Sequence, residues 1–220
     1  MIKLIKILIL LFLLQAHLFS QKPIIEFEGV IKYNHKVIAK ETNYNVEYDY
    51  SGIGKNSEYY YKDGNYRFIN HDCYFLSDIF RSEEQNNYLL LNKTDTVFVV
   101  NTKIADIEIV DFELKKSVDT ILGYVCDVLI LKLKPVETGT PNPYRRYYFT
   151  KDLSINPEHF RNCKGNGYEF IFEKTKALPL RIEFEWPSKL IVWEAYEVKK
   201  QKVKDDIFEK QNNWVLIKVN

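Results

Sequence analysis

The chain has 220 residues, of which 46% are hydrophobic, and its 31 Lys and Arg against 30 Asp and Glu leave a net charge of +1. That balance argues against nucleic acid or another polyanion as the natural partner. The length and apolar fraction suffice for a buried core, with one domain as the default.

Residues 1–20, MIKLIKILILLFLLQAHLFS, set Lys3 and Lys6 ahead of an apolar run from Ile7 to Leu14. This is the pattern of a secretory signal peptide cleaved near Ser20. Gln15 and His17 interrupt the run well short of the ~20 apolar residues that a spanning helix needs. No transmembrane segment is therefore expected in the mature chain, residues 21–220, read as one β-rich domain. Its expected address is the periplasm or the cell exterior, an oxidising compartment.

Period-2 patterning dominates the mature chain. In PIIEFEGVIKYNHKVIAK, Ile25, Phe27, Ile31, Tyr33, Val37 and Ala39 share one face, and Glu26, Glu28, Lys32, Asn34 and Lys36 share the other. This predicts a long half-buried strand. His35 falls on its apolar face and is expected to be a hydrogen-bonded core histidine. SEYYYKDGNYRFIN predicts a hairpin, because Asp63-Gly64 suits the two positive φ angles of a type I′ turn. YLLLNKTDTVFVV predicts a second hairpin, turning around Asn92 to Asp95. DTILGYVCDVLILKLKP, residues 119–135, reads as one long strand with Cys126 in its middle, followed by strands at YRRYYFTK and YEFIFEK.

ALPLRIEFEW alternates strictly, with Leu178, Leu180, Ile182, Phe184 and Trp186 on one face. KLIVWEAYEVKK is its antiparallel partner across Pro187 and Ser188, and Pro179, which cannot donate to a ladder, belongs at a strand start or on an edge. Helix signals are confined to SDIFRSEEQ (77–85) and NPEHFRNC (156–163), the second with Asn156 as cap and Pro157 at the first helical position. The fold class expected is mainly antiparallel β (α+β), a large curved sheet with one face wet or partly covered.

An odd number of cysteines in an exported chain, Cys73, Cys126 and Cys163, suggests one disulfide and one spare thiol. Cys126 with Cys163 closes the shortest loop, although loop length barely discriminates, at about 3–4 kcal/mol for any pair. That pair is preferred because Cys163 sits in an irregular segment able to fold over the face of Leu122, Tyr124 and Val128. Three buried free thiols are the alternative, and in either case Cys126 is structural. His71 with Cys73 and His159 with Cys163 have a weak zinc-like spacing, which oxidation of the cysteines would destroy, so no metal or other cofactor is expected.

SGIGKNS (51–57) fails as a phosphate loop, because Asp49 stands where the first glycine is required and Asn56 follows the lysine. The carboxylate pairs Glu26/Glu28 and Glu183/Glu185 lie on polar strand faces. Tyr144-Arg145-Arg146-Tyr147-Tyr148 could stack on single-stranded nucleic acid, but the export signal and near-neutral charge favour an ordinary strand.

FEGVIKY, GYVC, YYFTKDLSINP, ALPLRIEF and VKDDIF, in that order, resemble secreted Bacteroidota proteins of the LolA-like half-barrel families. Their relatives are named for a GLPGLI motif, at whose position LPLRI stands here. The resemblance implies a curved antiparallel sheet wrapped partly around a helix or loop, and a concave apolar face. In the carriers of this superfamily that face holds acyl chains. Together these readings point to a non-enzymatic envelope protein binding a lipid or other apolar molecule through Leu178, Leu180, Ile182, Phe184 and Trp186. The alternative is a structural or partner-binding envelope protein without a cavity.

Overall fold

The computed structural model describes residues 25–135 and 140–219; the expected signal peptide and its cleavage point lie outside them. Twelve strands form one open sheet in the order β12-β6-β5-β4-β3-β2-β1-β11-β10-β9-β8-β7. In chain order these are β1 (Gly29–Ala39), β2 (Asn56–Lys62), β3 (Asn65–Asn70), β4 (Phe75–Arg81), β5 (Asn86–Leu91) and β6 (Thr96–Asn101). Then come β7 (Ile109–Ile121), β8 (Tyr124–Leu133), β9 (Tyr144–Ser154), β10 (Ala177–Glu185), β11 (Lys189–Lys200) and β12 (Val215–Val219). Two short helices accompany them, α1 (Val46–Ile53) and α2 (Tyr168–Thr175). Among the described residues no helix is long and apolar enough to cross a membrane.

The sheet is two meanders, β1 to β6 and β7 to β11, joined where β1 pairs antiparallel with β11 from Gly29↔Lys200 to Ala39↔Lys189. Every neighbour pair is antiparallel except β12 with β6. The expected alternation holds from Ile31 to Val37, with Ile31, Tyr33, His35 and Val37 buried, whereas Ile25, ahead of the strand, and Ala39 at its end are exposed and Val30 is buried on the other face. Asp63 (φ 47°) and Gly64 (φ 79°) make the tight β2–β3 turn, and β5 and β6 flank residues 92–95. Pro179 is the third residue of β10 and lies between two register irregularities against β9, which accommodate its missing N–H.

Four expectations need correction. Residues 119–135 are not one strand: Leu122 (φ 52°) and Gly123 (φ 82°) turn the chain between Ile121 and Tyr124, which pair, so Cys126 lies near the start of β8. SDIFRSEEQ is not helical, because its first five residues belong to β4. Ile79 and Phe80 are both buried, one on each face of a sheet covered on both sides, which hides the alternation. YEFIFEK is helix α2, not a strand; Tyr168, Ile171, Phe172 and Thr175 stand at helical spacing, and Ile171, Phe172 and Thr175 are buried. NPEHFRNC forms only a single 3-10 turn, Pro157–Phe160, with the Asn156 side chain accepting from the Glu158 N–H as its cap.

The main core lies between the sheet and α2. Phe160 joins them, stacking on Phe80 at 5.2 Å and on Phe172 at 4.3 Å between ring centroids. Tyr168 meets Tyr66 of β3 edge-on at 6.3 Å, while Phe170 meets Phe112 of β7 at 5.1 Å. Both meanders therefore touch the same helix. On the opposite face Val203 and Phe208, from the segment between β11 and β12, cover Ile79, Tyr88, Leu90, Val97 and Val99.

The expected Cys126–Cys163 bond is not formed; all three thiols are free and buried. Cys126 donates to the Tyr124 carbonyl at 3.4 Å, near Asp119 and Arg181. Cys163 sits against other parts of the core, beside Thr102 and near Asp78. Burial pushes the Cys126 thiol up and the Cys163 thiol up to about 12, which keeps both protonated and unreactive.

Candidate ligand cavity

Cross-strand registry builds the wall. Residues directly opposite on antiparallel strands share a face, so His35, Trp193, Ile182, Tyr147 and Leu129 form one row across β1, β11, β10, β9 and β8. The next row is Val37, Ile191, Phe184, Arg145 and Leu131. On the other side of β1, Tyr59 opposes Phe68, and Phe68 opposes Asp78 of β4. Part of these rows and α2 border a half-open cavity of about 360 Å³.

Its lining is mostly apolar and aromatic: Tyr59, Phe68, Ile182, Phe184, Trp186 and Trp193 from the sheet side, and Tyr168, Ile171 and Phe172 from the helix. Trp193 organises the sheet side. It stacks on His35 at 4.9 Å and on Phe68 at 5.0 Å, and Phe184 meets it edge-on at 5.1 Å. Such ring pairs add about 0.5–1.5 kcal/mol each beyond buried area and fix the shape of the wall.

Of the five β10 residues expected to face a ligand, Ile182, Phe184 and Trp186 line the cavity. Leu178 and Leu180 do not; they are sealed in the core beside it, 1% and 0% exposed. The cover is α2 and not SDIFRSEEQ, whose Asp78 instead belongs to the wall.

Four polar side chains at the wall escaped the sequence reading as site residues: Asn70, Asp78, Arg145 and Asn166. The pleat splits the Arg145-Arg146 pair. Arg146 turns to the far face and pairs with Glu185 at 2.6 Å and Glu183 at 3.5 Å, whereas Arg145 turns inward, its guanidinium over the Phe184 ring at 5.4 Å and its Nη1 donating to the Asn166 carbonyl at 3.3 Å. The Asp78 carboxyl is pushed up to about 7 by burial, against the opposing hydrogen bond from Tyr66. Burial likewise raises the phenols of Tyr59 and Tyr168 well above their usual value.

His35 is the hydrogen-bonded core histidine expected. Burial pushes it down to about 4, so its ring is neutral: Nδ1 donates to the Gly54 carbonyl at 3.1 Å and Nε2 accepts from the Ser57 hydroxyl at 2.8 Å. This resembles a nucleophile with its base, but Ser57 is 1% exposed and stands away from the cavity wall. His159 bonds Glu26 at 3.1 Å, and Cys73 bonds the Phe75 carbonyl at 3.2 Å. Among the described residues no three His, Cys, Asp or Glu side chains gather at metal-binding range. Neither a model of a known protein family nor a curated protein matches this chain.

Proposed function

We propose that the protein is a non-enzymatic binding module for an apolar ligand of roughly one acyl chain, held between the sheet and α2. One observation carries the reading: with its own helix docked, the chain still leaves about 360 Å³ unfilled beside Phe184, Trp186 and Trp193. Ligand sites typically measure about 300–1,000 Å³ with mostly apolar walls. The contact of α2 with both β3 and β7 supports a sheet curved as a half-barrel around its helix. The proposal extends to the LolA-like resemblance and to a periplasmic or secreted address after loss of residues 1–20. About ten buried methylenes at ~0.8 kcal/mol each limit affinity from the chain alone to about micromolar.

A solvatochromic fatty probe should bind with saturation, and Phe184→Glu should abolish binding more than it lowers stability, because Phe184 is half-exposed toward the cavity. Absence of saturable binding by the unmodified protein would reject the carrier reading. It would favour a partner-binding envelope protein, for which the exposed Val110, Phe112 and Leu114 on edge strand β7 offer a surface.

A further inference from the structure

The polar atoms at the cavity wall carry information about the ligand's head. Buried polar groups are nearly always hydrogen-bonded, and each one left unmade costs about 1–3 kcal/mol. Setting aside Arg81 Nε, which lies 2.7 Å from Glu84 Oε1, five buried side-chain atoms have no hydrogen-bond partner among the described residues, and four of them belong to the wall: Asn70 Oδ1, Asp78 Oδ1, Arg145 Nε and Trp193 Nε1.

Their roles are fixed by the partners around them. Asn70 Nδ2 donates to the Phe75 carbonyl at 2.8 Å, so the amide cannot be turned over without setting two acceptors together, and Oδ1 is the free acceptor. Asp78 Oδ2 accepts from the Tyr66 hydroxyl at 3.2 Å and from Asn87 Nδ2 at 3.4 Å, leaving Oδ1, which donates while the carboxyl keeps its proton and accepts once it is ionised. Arg145 Nε and Trp193 Nε1 can only donate. The free Asn70 acceptor and the Asp78 carboxyl oxygen lie on β3 and β4, and the free donors of Arg145 and Trp193 on β9 and β11, the two flanks that β1 and β2 separate. Each of the four atoms is closed off from solvent, so meeting a ligand head takes a rearrangement of its side chain.

An alkyl carboxylate offers acceptors alone and leaves Asn70 unmet. An alkylammonium offers donors alone and leaves Arg145 and Trp193 unmet, with a second cation beside a guanidinium. Resting on the carrier reading above, we infer that the cavity selects an uncharged amphiphile whose head both donates and accepts hydrogen bonds, a carboxamide or an acylated polyol. The alkyl body lies against Phe184 and Trp193, and the head is read by Asn70 and Asp78 on one flank and Arg145 on the other. A site built to bond a polar group rejects analogues lacking it far more strongly than an apolar pocket rejects a missing methylene.

The test displaces the solvatochromic probe from delipidated protein with four ligands of one chain length: dodecanamide, monolauroylglycerol, laurate and dodecylamine. The two neutral ligands should bind at least about tenfold more tightly than either charged one, the equivalent of one satisfied buried hydrogen bond. Asn70→Leu and Asp78→Leu should each erase that advantage while the probe still binds; two variants on different strands guard against one that fails to fold. Preference for laurate, lost in Arg145→Leu, would overturn the inference in favour of an anionic head. Preference for dodecylamine, lost in Asp78→Asn, would overturn it the other way. Equal affinity for all four would mean that the head is not read, with the apolar site intact. A probe that never binds would remove the carrier reading itself.

Discussion

His35 is buried and Asp78 half-buried on the α2 side of the sheet, and their titrations pull stability in opposite directions. Asp78, at about 7 in the folded chain against an ordinary 3.8, holds a proton that the unfolded chain has released. Its contribution is therefore full below about pH 3.8 and is lost as pH rises to about 7. His35, at about 4 against 6.5, is neutral in the fold while the unfolded chain takes up a proton. Its contribution is full above about pH 6.5 and is lost as pH falls toward 4. Asp78→Asn keeps a side chain able to meet Tyr66 but removes the first slope, so the variant should gain stability relative to the unmodified protein between about pH 4 and pH 8. Urea melts across that range check it; a difference that does not change with pH would mean that Asp78 does not titrate there. His35 was legible in the sequence because it sits on the apolar side of a clear alternation. Asp78 was not, since its neighbours in SDIFR fit a polar helical face as well as a strand. Arg145 was seen only as one of a basic pair, because which of two adjacent arginines points inward depends on register, and register is set by β10 across the ladder.

At the level of elements, the sequence spoke clearly wherever a turn residue and a period agreed. Asp63-Gly64 with its aromatic flanks and the strict alternation of ALPLRIEFEW both became the elements expected. Short aromatic runs spoke less clearly: YEFIFEKT satisfies a strand reading by composition and a helical one by the spacing of Tyr168, Ile171, Phe172 and Thr175. Burial under the sheet decides for the helix, which closes with Lys176 in the left-handed region (φ 52°) and its N–H bonded to the Phe172 carbonyl at 2.9 Å. The β7–β8 turn was missed because Leu122-Gly123 offers only one of the two residues that favour positive φ. Phe172 bears most directly on the helix, packing on Phe160 and Tyr168 while lining the cavity. Phe172→Ala should cost about 3–5 kcal/mol by denaturant unfolding, as truncation of a buried aromatic does, and should weaken probe binding at temperatures where the variant is still folded. A loss well under that range would mean that α2 is not packed as a core element.

For the whole molecule, a β-rich sheet of many strands was readable from patterning, but the strand order was not. Nothing local in GVIKYNHKVIA announces that it will pair with LIVWEAYEV near the other end of the chain, and nothing in VLIKV announces a parallel partner in β6. These long-range choices come from which faces must be covered together. The β1–β11 pairing also sets a timetable. Each meander is built from sequence-near strands and can pair early, whereas β1 must wait for β11, whose first residue is 150 positions beyond the last residue of β1. Closing so long a loop delays folding far more than it lowers final stability. Refolding should therefore show a slower phase, reported by Trp193 fluorescence, that Ile191→Ala in β11 affects mainly through the unfolding rate. A single fast phase would argue that the meanders do not form separately. Since His35 and Trp193 become neighbours only when β1 meets β11, the cavity is absent for most of the chain's assembly. A nascent chain would carry its aromatic wall uncovered until nearly its last strands arrive, and during that interval it depends on whatever shields it from its own kind.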